Sequence, residues 1–536
     1  VRRCLVPTVL AFSVFFSSFS GASAAPTAHV LRFASAEEIA TLNPDLGNQL
    51  VVAWLSQMTG AYLFRDDASN RLTPELATVV PTQANGGISK DGLTVTLHIR
   101  SGVKWSDGAP FDANDVAFSI AALNNVKNNV PNRDGFDRIT RVDVPNSTTA
   151  IVHLKEPFGA IVARLFATSN AYMLLPKHVL GSLSEINDAP YNGLPIGIGP
   201  FRYKAWKRGD AVELERNPLY WRGKAALDEV IYKILPDRNT VLLQLQTQDL
   251  DLFYPFGGAF LPRVQAIPGT YIVRHPSYAV NELLFNTASP PLREAAVRRA
   301  LRYATDRATL REKIGHGVGL LQDAVFTQAD PSTPKDIAFT PFDLAKANKI
   351  LDDAGWVRGA DGIRAKAGVR LDIDIASSQG TPDADQQIEL IRANWKEIGA
   401  DMNVTRYQSS ILFGPYASGG ILPTGKFGAM FLGNLIPAPF DLANSFGCNN
   451  IPPAGQNFNR FCDHDLDGTI AEYNRTYDDA TRKRLIAKVA HVVEDQALTV
   501  TITGREDLFG LLNAVKNFHP NNATPFDDMM HVDVVP

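Results

Sequence analysis

Several groups of residues in this chain have the types and spacing to do chemistry. Asp463-His464-Asp465-Leu466-Asp467-Gly468-Thr469-Ile470 puts acids at positions 1, 3 and 5 of a calcium loop, glycine at 6 and isoleucine at 8. Position 9 is Ala471, and position 12 is Asn474 where a bidentate Glu belongs. Cys448 and Cys462 stand 14 positions apart; they are read as a disulfide in an oxidising compartment, with two buried thiols as the alternative. Gly197 and Gly199 form a pair of the kind found in nucleotide loops. Pro200 follows, and a third spaced glycine is missing, so tight backbone turns are the better reading. The ten histidines show no metal-ligand spacing; His316 sits in the glycine-rich loop Gly315–Gly319. No G-x-S-x-G elbow, P-loop or Cys–His motif occurs. Carboxylates are plentiful, but nothing selects one pair as acid and base. These residues therefore imply no catalytic group, no metal and no cofactor.

The elements that would position such groups follow from periodicity. Leu93, Val95, Leu97 and Ile99 alternate with polar residues, which predicts a half-buried strand. Ser106-Asp107-Gly108 is a turn, and Asp112 with Asp115 predicts a capping box opening a helix with Val116, Ile120 and Leu123 on one face. Leu50, Trp54, Met58 and Ala61 predict another helix, with Trp54 in the core. Strands are predicted at Ala150–Leu154, Val230–Leu235 and Met402–Tyr407, and along Val369, Leu371, Ile373 and Ile375. Helices are predicted over Thr240–Thr247, after Asp343 up to Gly355, and along Ile388–Ile398 up to Gly399. Strand–helix alternation argues for α/β architecture.

Composition sets bounds. The chain has 536 residues, 45% hydrophobic and 20% charged, ordinary for a globular protein of about three domains. A formal charge of −4 gives no indication of a nucleic-acid partner. Arg2-Arg3, the apolar run Leu5–Phe19 and Ala22-Ser23-Ala24 read as a signal peptide cleaved near Ala24 or Ala25, over residues 1–25. Its removal takes two basic residues and no acid, leaving 50 basic against 56 acidic.

Several stretches resemble phrases of the extracytoplasmic solute-binding proteins, family 5, the peptide-, oligopeptide- and nickel-type proteins of ABC transporters. In Leu97–Ser119, the residues Arg100, Gly102, Val103, Trp105, Asp107, Gly108, Pro110, Asp115, Val116 and Ser119 fall on one such phrase. Asn217-Pro218-Leu219-Tyr220-Trp221, Val297–Arg307 and Leu351–Trp356 fall on others, in the family's order. At Gln248-Asp249-Leu250-Asp251 the family has a glycine where Gln248 stands, so this turn is expected to be altered or strained. Asp467 and Leu466 fall on a family phrase that starts a helix, a second account of the calcium-like run.

The resemblance implies a two-lobed α/β periplasmic binding protein of type II, in the large peptide-binding class, with hinge strands. Lobe I would comprise 26–65, 191–280 and 504–536, a subdomain 66–190, and lobe II 281–503. The implied function is capture of a peptide-like or other small solute by hinge closure and delivery to a membrane ABC permease, by a periplasmic monomer. A secreted hydrolase of glycans or peptides, and a calcium-dependent interaction protein, are the alternatives. The implied ligand-binding residues are Glu37, Tyr278, Tyr407, Phe431, Leu432, Gly433, Asn434 and Phe446. Asn434 falls where peptide-binding relatives carry an Asp that meets the peptide ammonium. That predicts a ligand without a free α-amino group at this spot, unless Asp441 or Glu37 supplies the charge.

Overall fold

Two long strands tie the molecule together, Thr270–Phe285 and Thr499–Leu512. The computed structural model describes residues 26–536, apart from 36, 68–70, 171, 331, 380–381 and 437–439. The expected signal peptide lies outside the described residues. The two long strands pair antiparallel at the centre of a ten-stranded sheet. On one side follow Leu252–Phe253, Val30–Ser35, Glu229–Ile234, Ala211–Arg216 and Phe201–Lys207; on the other follow Ala429–Leu435, Asp372–Ser378 and Asp401–Tyr407. Leu252 faces Leu511, so this end of the pair belongs to the first set. Ala279–Phe285 face Leu435–Ala429, so the other end belongs to the second. Between the ends the register slips twice, at Pro276/Val280 and at Asn281/Glu282. Such slips bend and twist a ladder locally.

Each set of strands carries its own core. Leu31, Phe33, Trp54, Val230 and Leu511 belong to one cluster; Leu283, Phe285, Ile375, Trp395 and Val500 belong to another. A third cluster fills the region around the three-stranded sheet Thr94–His98, Thr149–Leu154 and Ile139–Asn146. Trp105 is fully buried there, and its indole N–H donates to Asp115 at 3.3 Å. The same carboxylate accepts the backbone N–H of Asp112 and of Lys177, closing the capping box on the helix Ala113–Asn124. Asp115 thus joins the Trp105 loop, its own helix and the start of the helix Lys177–Leu180.

Element ends follow the sequence signals closely. Asp343 caps Leu344–Asp353, and Gly355 beyond that helix takes φ +80°. The helix Arg238–Gln246 ends with Gln248 at φ +63°, a left-handed position held by a residue with a Cβ. This is the strained turn expected there. Gly197 and Gly199 are needed for a different reason from the one predicted. A Cβ at Gly197 would lie 1.8 Å from the Thr59 carbonyl oxygen, and one at Gly199 would lie 2.3 Å from that of Met58. They let this segment pass against the end of the helix Leu50–Thr59 rather than forming turns.

The calcium-like run is not a loop. Asp463 caps the helix His464–Arg475 through the N–H groups of Asp465 and Leu466, and Asp467 accepts the N–H of Cys448 at 3.0 Å. Cys448 and Cys462 are bonded to each other. Cys448, Cys462 and His464 come together closely enough to suggest a metal cluster, but the disulfide takes both sulfurs.

Candidate ligand-binding site

Strand alternation decides which way the central side chains point. On the first long strand Val280, Glu282 and Leu284 share one face, opposite Asn434, Leu432 and Met430 of Ala429–Leu435. Asn281, Leu283 and Phe285 share the other face, with Gly433, Phe431 and Ala429.

The second face opens into a cavity of ≈ 520 Å³. Phe256 and Phe260 come from the segment after Leu252–Phe253, Asn281 and Thr503 from the long pair, Asp383 from the helix Pro382–Glu397 and Phe431 from Ala429–Leu435. A solute here would touch both lobes and the strands between them. Asn281 donates to Thr503 at 3.4 Å. Glu506 accepts Arg274 at 2.6 Å and the Gly319 N–H at 2.7 Å. Arg238 and Arg505 line the cavity, are exposed, and form no ion pair among the described residues. Arg238 also borders a neighbouring cavity of ≈ 280 Å³ with Glu37, Leu50 and Trp54.

Of the implied ligand residues, the structure brings Phe431 to the larger cavity and Glu37 to its neighbour. The Glu37 carboxylate is turned back onto its own lobe, accepting from Gln49 and from the Val51 N–H at the start of a helix. Gly433 lies on the Phe431 face, beside Asn281. Tyr278 borders a third cavity, between the three-stranded region and the helix Asp479–Asp495. Leu432 and Tyr407 each pack against a cluster of Leu284, Ala376 and Met430, and Phe446 is buried in a separate cluster with Val280 and Ile436.

Asn434 has a neighbour that the sequence did not reveal. Its amide donates at 3.0 Å to Glu282, which is 1% exposed and whose second carboxylate oxygen has no partner among the described residues. Burial pushes the Glu282 carboxyl up from 4.5 to about 7, the Asn434 hydrogen bond opposing it. A carboxylate therefore does stand beside Asn434, on the adjacent strand. Asp441 is engaged in capping Leu442–Phe446. The ground for excluding an ammonium at Asn434 is removed. An acid inside the apolar run Tyr278–Asn286 was the signal available.

Away from these cavities' lining, the three-stranded region is clasped to the helix pair His464–Arg475 and Asp479–Asp495. The Tyr477 hydroxyl donates to the Gly92 carbonyl at 2.9 Å and accepts the Phe158 N–H at 3.0 Å. The Gly159 N–H donates to the Asn474 carbonyl at 2.7 Å. A Cβ at Gly159 would sit 2.1 Å from the Thr476 carbonyl, so glycine is required for this approach.

Residues 71–450 match the family described as bacterial extracellular solute-binding proteins, family 5. The chain belongs to that family. Among its relatives, Protein XP55 of Streptomyces lividans is 30% identical over 347 residues, which is 64% of this chain and 60% of the relative. The oligopeptide-binding protein AppA of Bacillus subtilis is 25% identical, covering 82% of each chain. The nickel-binding periplasmic protein of Escherichia coli is 27% identical, over 77% of this chain and 79% of its own. In structure, CtaP of Listeria monocytogenes superposes with a TM-score of 0.81 at 23% identity, over 95% of this chain and 99% of its own. AppA of B. subtilis, solved with a nonapeptide, gives 0.74 at 20% identity, with the same coverage. The two-lobed fold of this family is the fold of this solute-binding protein. Nothing among these relatives supports a hydrolase.

Proposed function

We propose that the protein is the solute-capturing component of an ABC importer. It is exported by its N-terminal segment, works as a periplasmic monomer, and hands a peptide-like or other small organic solute to the membrane permease without altering it. Its lobes divide as lobe I at 26–65, 191–280 and 504–536, a subdomain at 66–190, and lobe II at 281–503. The observation that carries this reading is the ≈ 520 Å³ cavity lined jointly by the long pair and by segments attached to both sets of strands. A solute bound there bridges both lobes and stabilises the closed arrangement. An AppA relative holds a nonapeptide, and another relative is named for nickel. None of the residues lining the three cavities is His or Cys, which favours an organic solute over bare nickel. Phe256, Phe260 and Phe431 supply apolar surface, and Asn281, Thr503 and Arg505 supply polar contacts, a mixture suited to a small organic ligand.

The test is mass spectrometry of the solute that co-purifies with native protein, followed by rebinding of the identified compound. The expected result is one class of small solute, recovered chemically unchanged. Protein that consumes the compound, or that carries and rebinds none, contradicts the reading.

A further inference from the structure

The cavity beside Tyr278 has a chemistry of its own. It measures ≈ 210 Å³, the share of about seven liquid waters. Asp66 and Ser169 face it from one side, and Asp330 and Ser332 face it from the other. Tyr278, on the first long strand, is 4% exposed, and its hydroxyl has no partner among the described residues. The other charged groups on the wall are accounted for. Arg482 is committed to the carbonyls of Tyr473 and Thr476 at 2.9 and 3.0 Å and stacks on the Tyr473 ring. Lys483 and Asp479 are exposed, and the Lys483 ammonium acts on Asp330 without forming an ion pair with it. The inner wall thus presents two carboxyls, neither in an ion pair among the described residues, and a phenol hydroxyl without a partner among them, with Lys483 as the one cation acting on Asp330.

Both acids have backbone support. Asp66 accepts the Ser169 N–H at 3.0 Å and the Thr168 hydroxyl at 3.1 Å, and Asp330 accepts the Ser332 N–H at 2.7 Å. These bonds fix the orientation of the carboxylates without neutralising them. Two like charges brought together by closure repel unless a cation lies between them. A donor-rich cation would meet acceptors on both sides at once.

We propose that this cavity, which shares no lining residue with the ≈ 520 Å³ cavity, is a separate pocket for the protonated amine or guanidinium of a solute, with Asp66 and Asp330 closing on it from opposite sides and the Tyr278 hydroxyl accepting between them. The inference rests on the binding-protein reading above and adds the charge of the ligand. Burial pushes both acids above the usual Asp range, and Tyr278 is pushed up first by burial and then by the charges of Asp330 and Asp66. The two acids therefore act on one hydroxyl. The site also couples recognition to motion, because opening the cleft would separate its two halves.

The probes are tripeptides with every side chain represented at the centre, offered free and N-acetylated, and read by native mass spectrometry with calorimetry on the best binders. Peptides carrying a free amine or guanidinium should bind at least tenfold tighter than blocked neutral ones. Asp66→Asn and Asp330→Asn should each cost tenfold or more, and Tyr278→Phe less. Asp66→Glu and Asp330→Glu keep the charge and should recover part of the affinity; thermal melting checks that every variant is folded. Equal binding of blocked neutral peptides or undiminished affinity in both Asn variants overturns the cation site and leaves the binding-protein reading standing. No bound tripeptide together with no co-purifying solute overturns both.

Discussion

Removing one oxygen from the clasp between the three-stranded region and the helix pair should shift the balance between open and closed forms. Tyr477→Phe deletes the hydroxyl that bonds the Gly92 carbonyl at 2.9 Å and the Phe158 N–H at 3.0 Å, and leaves the ring in its notch. In the closed form both backbone groups lose their partner; in the open form water reaches them. Leaving such groups unpaired costs about 1–3 kcal/mol, so about 2 kcal/mol is a fair figure for the loss to the closed form. That corresponds to a roughly 30-fold fall in the closed-to-open ratio. Apparent solute affinity should fall by up to the same factor wherever the closed form is the one that binds. The assay is energy transfer between dyes at Val126→Cys and Lys488→Cys, both exposed and on opposite sides of the clasp. It is run with and without the solute that co-purifies, keeping the native disulfide oxidised. The expected result is a lower closed fraction without solute and a higher solute concentration for half-closure. A variant with a lower melting temperature but an unchanged closed fraction would refute the reasoning, since the clasp would then act only in folding.

Three further outcomes are expected. Glu282→Gln should flatten the pH dependence of stability: the native carboxyl titrates near 7 against 4.5 unfolded, so the folded state holds the extra proton between those values. Wild type therefore loses stability as pH rises through that window, by about 3 kcal/mol at most, and the variant should melt higher than wild type at pH 8 but not at pH 4, measured by calorimetry. Opening the Cys448–Cys462 bridge, which joins residues 14 apart, should cost roughly 3 kcal/mol in denaturant titration, and unreduced denatured protein should label no free thiol. Gln248→Gly should raise stability by about 1 kcal/mol, because a Cβ is no longer held at φ +63°; an unchanged or lower denaturation midpoint would count against strain in that turn.

What the sequence disclosed depended on the range of the interaction. The capping box at Asp112 and Asp115 and the helix end at Gly355 are decided within a few residues and could be read directly, whereas the left-handed turn at Gln248 was expected only because the resembled family carries glycine there. The family phrases extended this to the two-lobed fold. The faces of the hinge strands were harder to read. A run such as Met430-Phe431-Leu432-Gly433-Asn434 alternates sides, so Phe431 reaches the large cavity while Asn434 meets Glu282 behind it. Glu282 stands 152 positions from Asn434. The Asp66–Asp330 cavity and the Tyr477 clasp also join distant segments, and no local pattern marks either. The reason for Gly197 and Gly199 was missed on the same account: their constraint comes from a helix more than a hundred residues earlier in the chain.

The two long strands also set the order in which the molecule can be finished. Thr270–Phe285 receives its long partner only when Thr499–Leu512 exists, more than two hundred residues later. Until then the sheet of each lobe has an open edge of unpaired backbone groups: Leu252–Phe253 and Thr270–Phe285 both lack the neighbour on that side, although Ala429–Leu435 can already pair with Ala279–Phe285. A ribosome must therefore deliver nearly the whole chain before either lobe can close its core, which makes folding a late and non-local event. A polypeptide kept in that unfinished state remains threadable for most of its synthesis, and chains stopped short of residue 499 should be cleared as unfolded rather than persist as half-molecules.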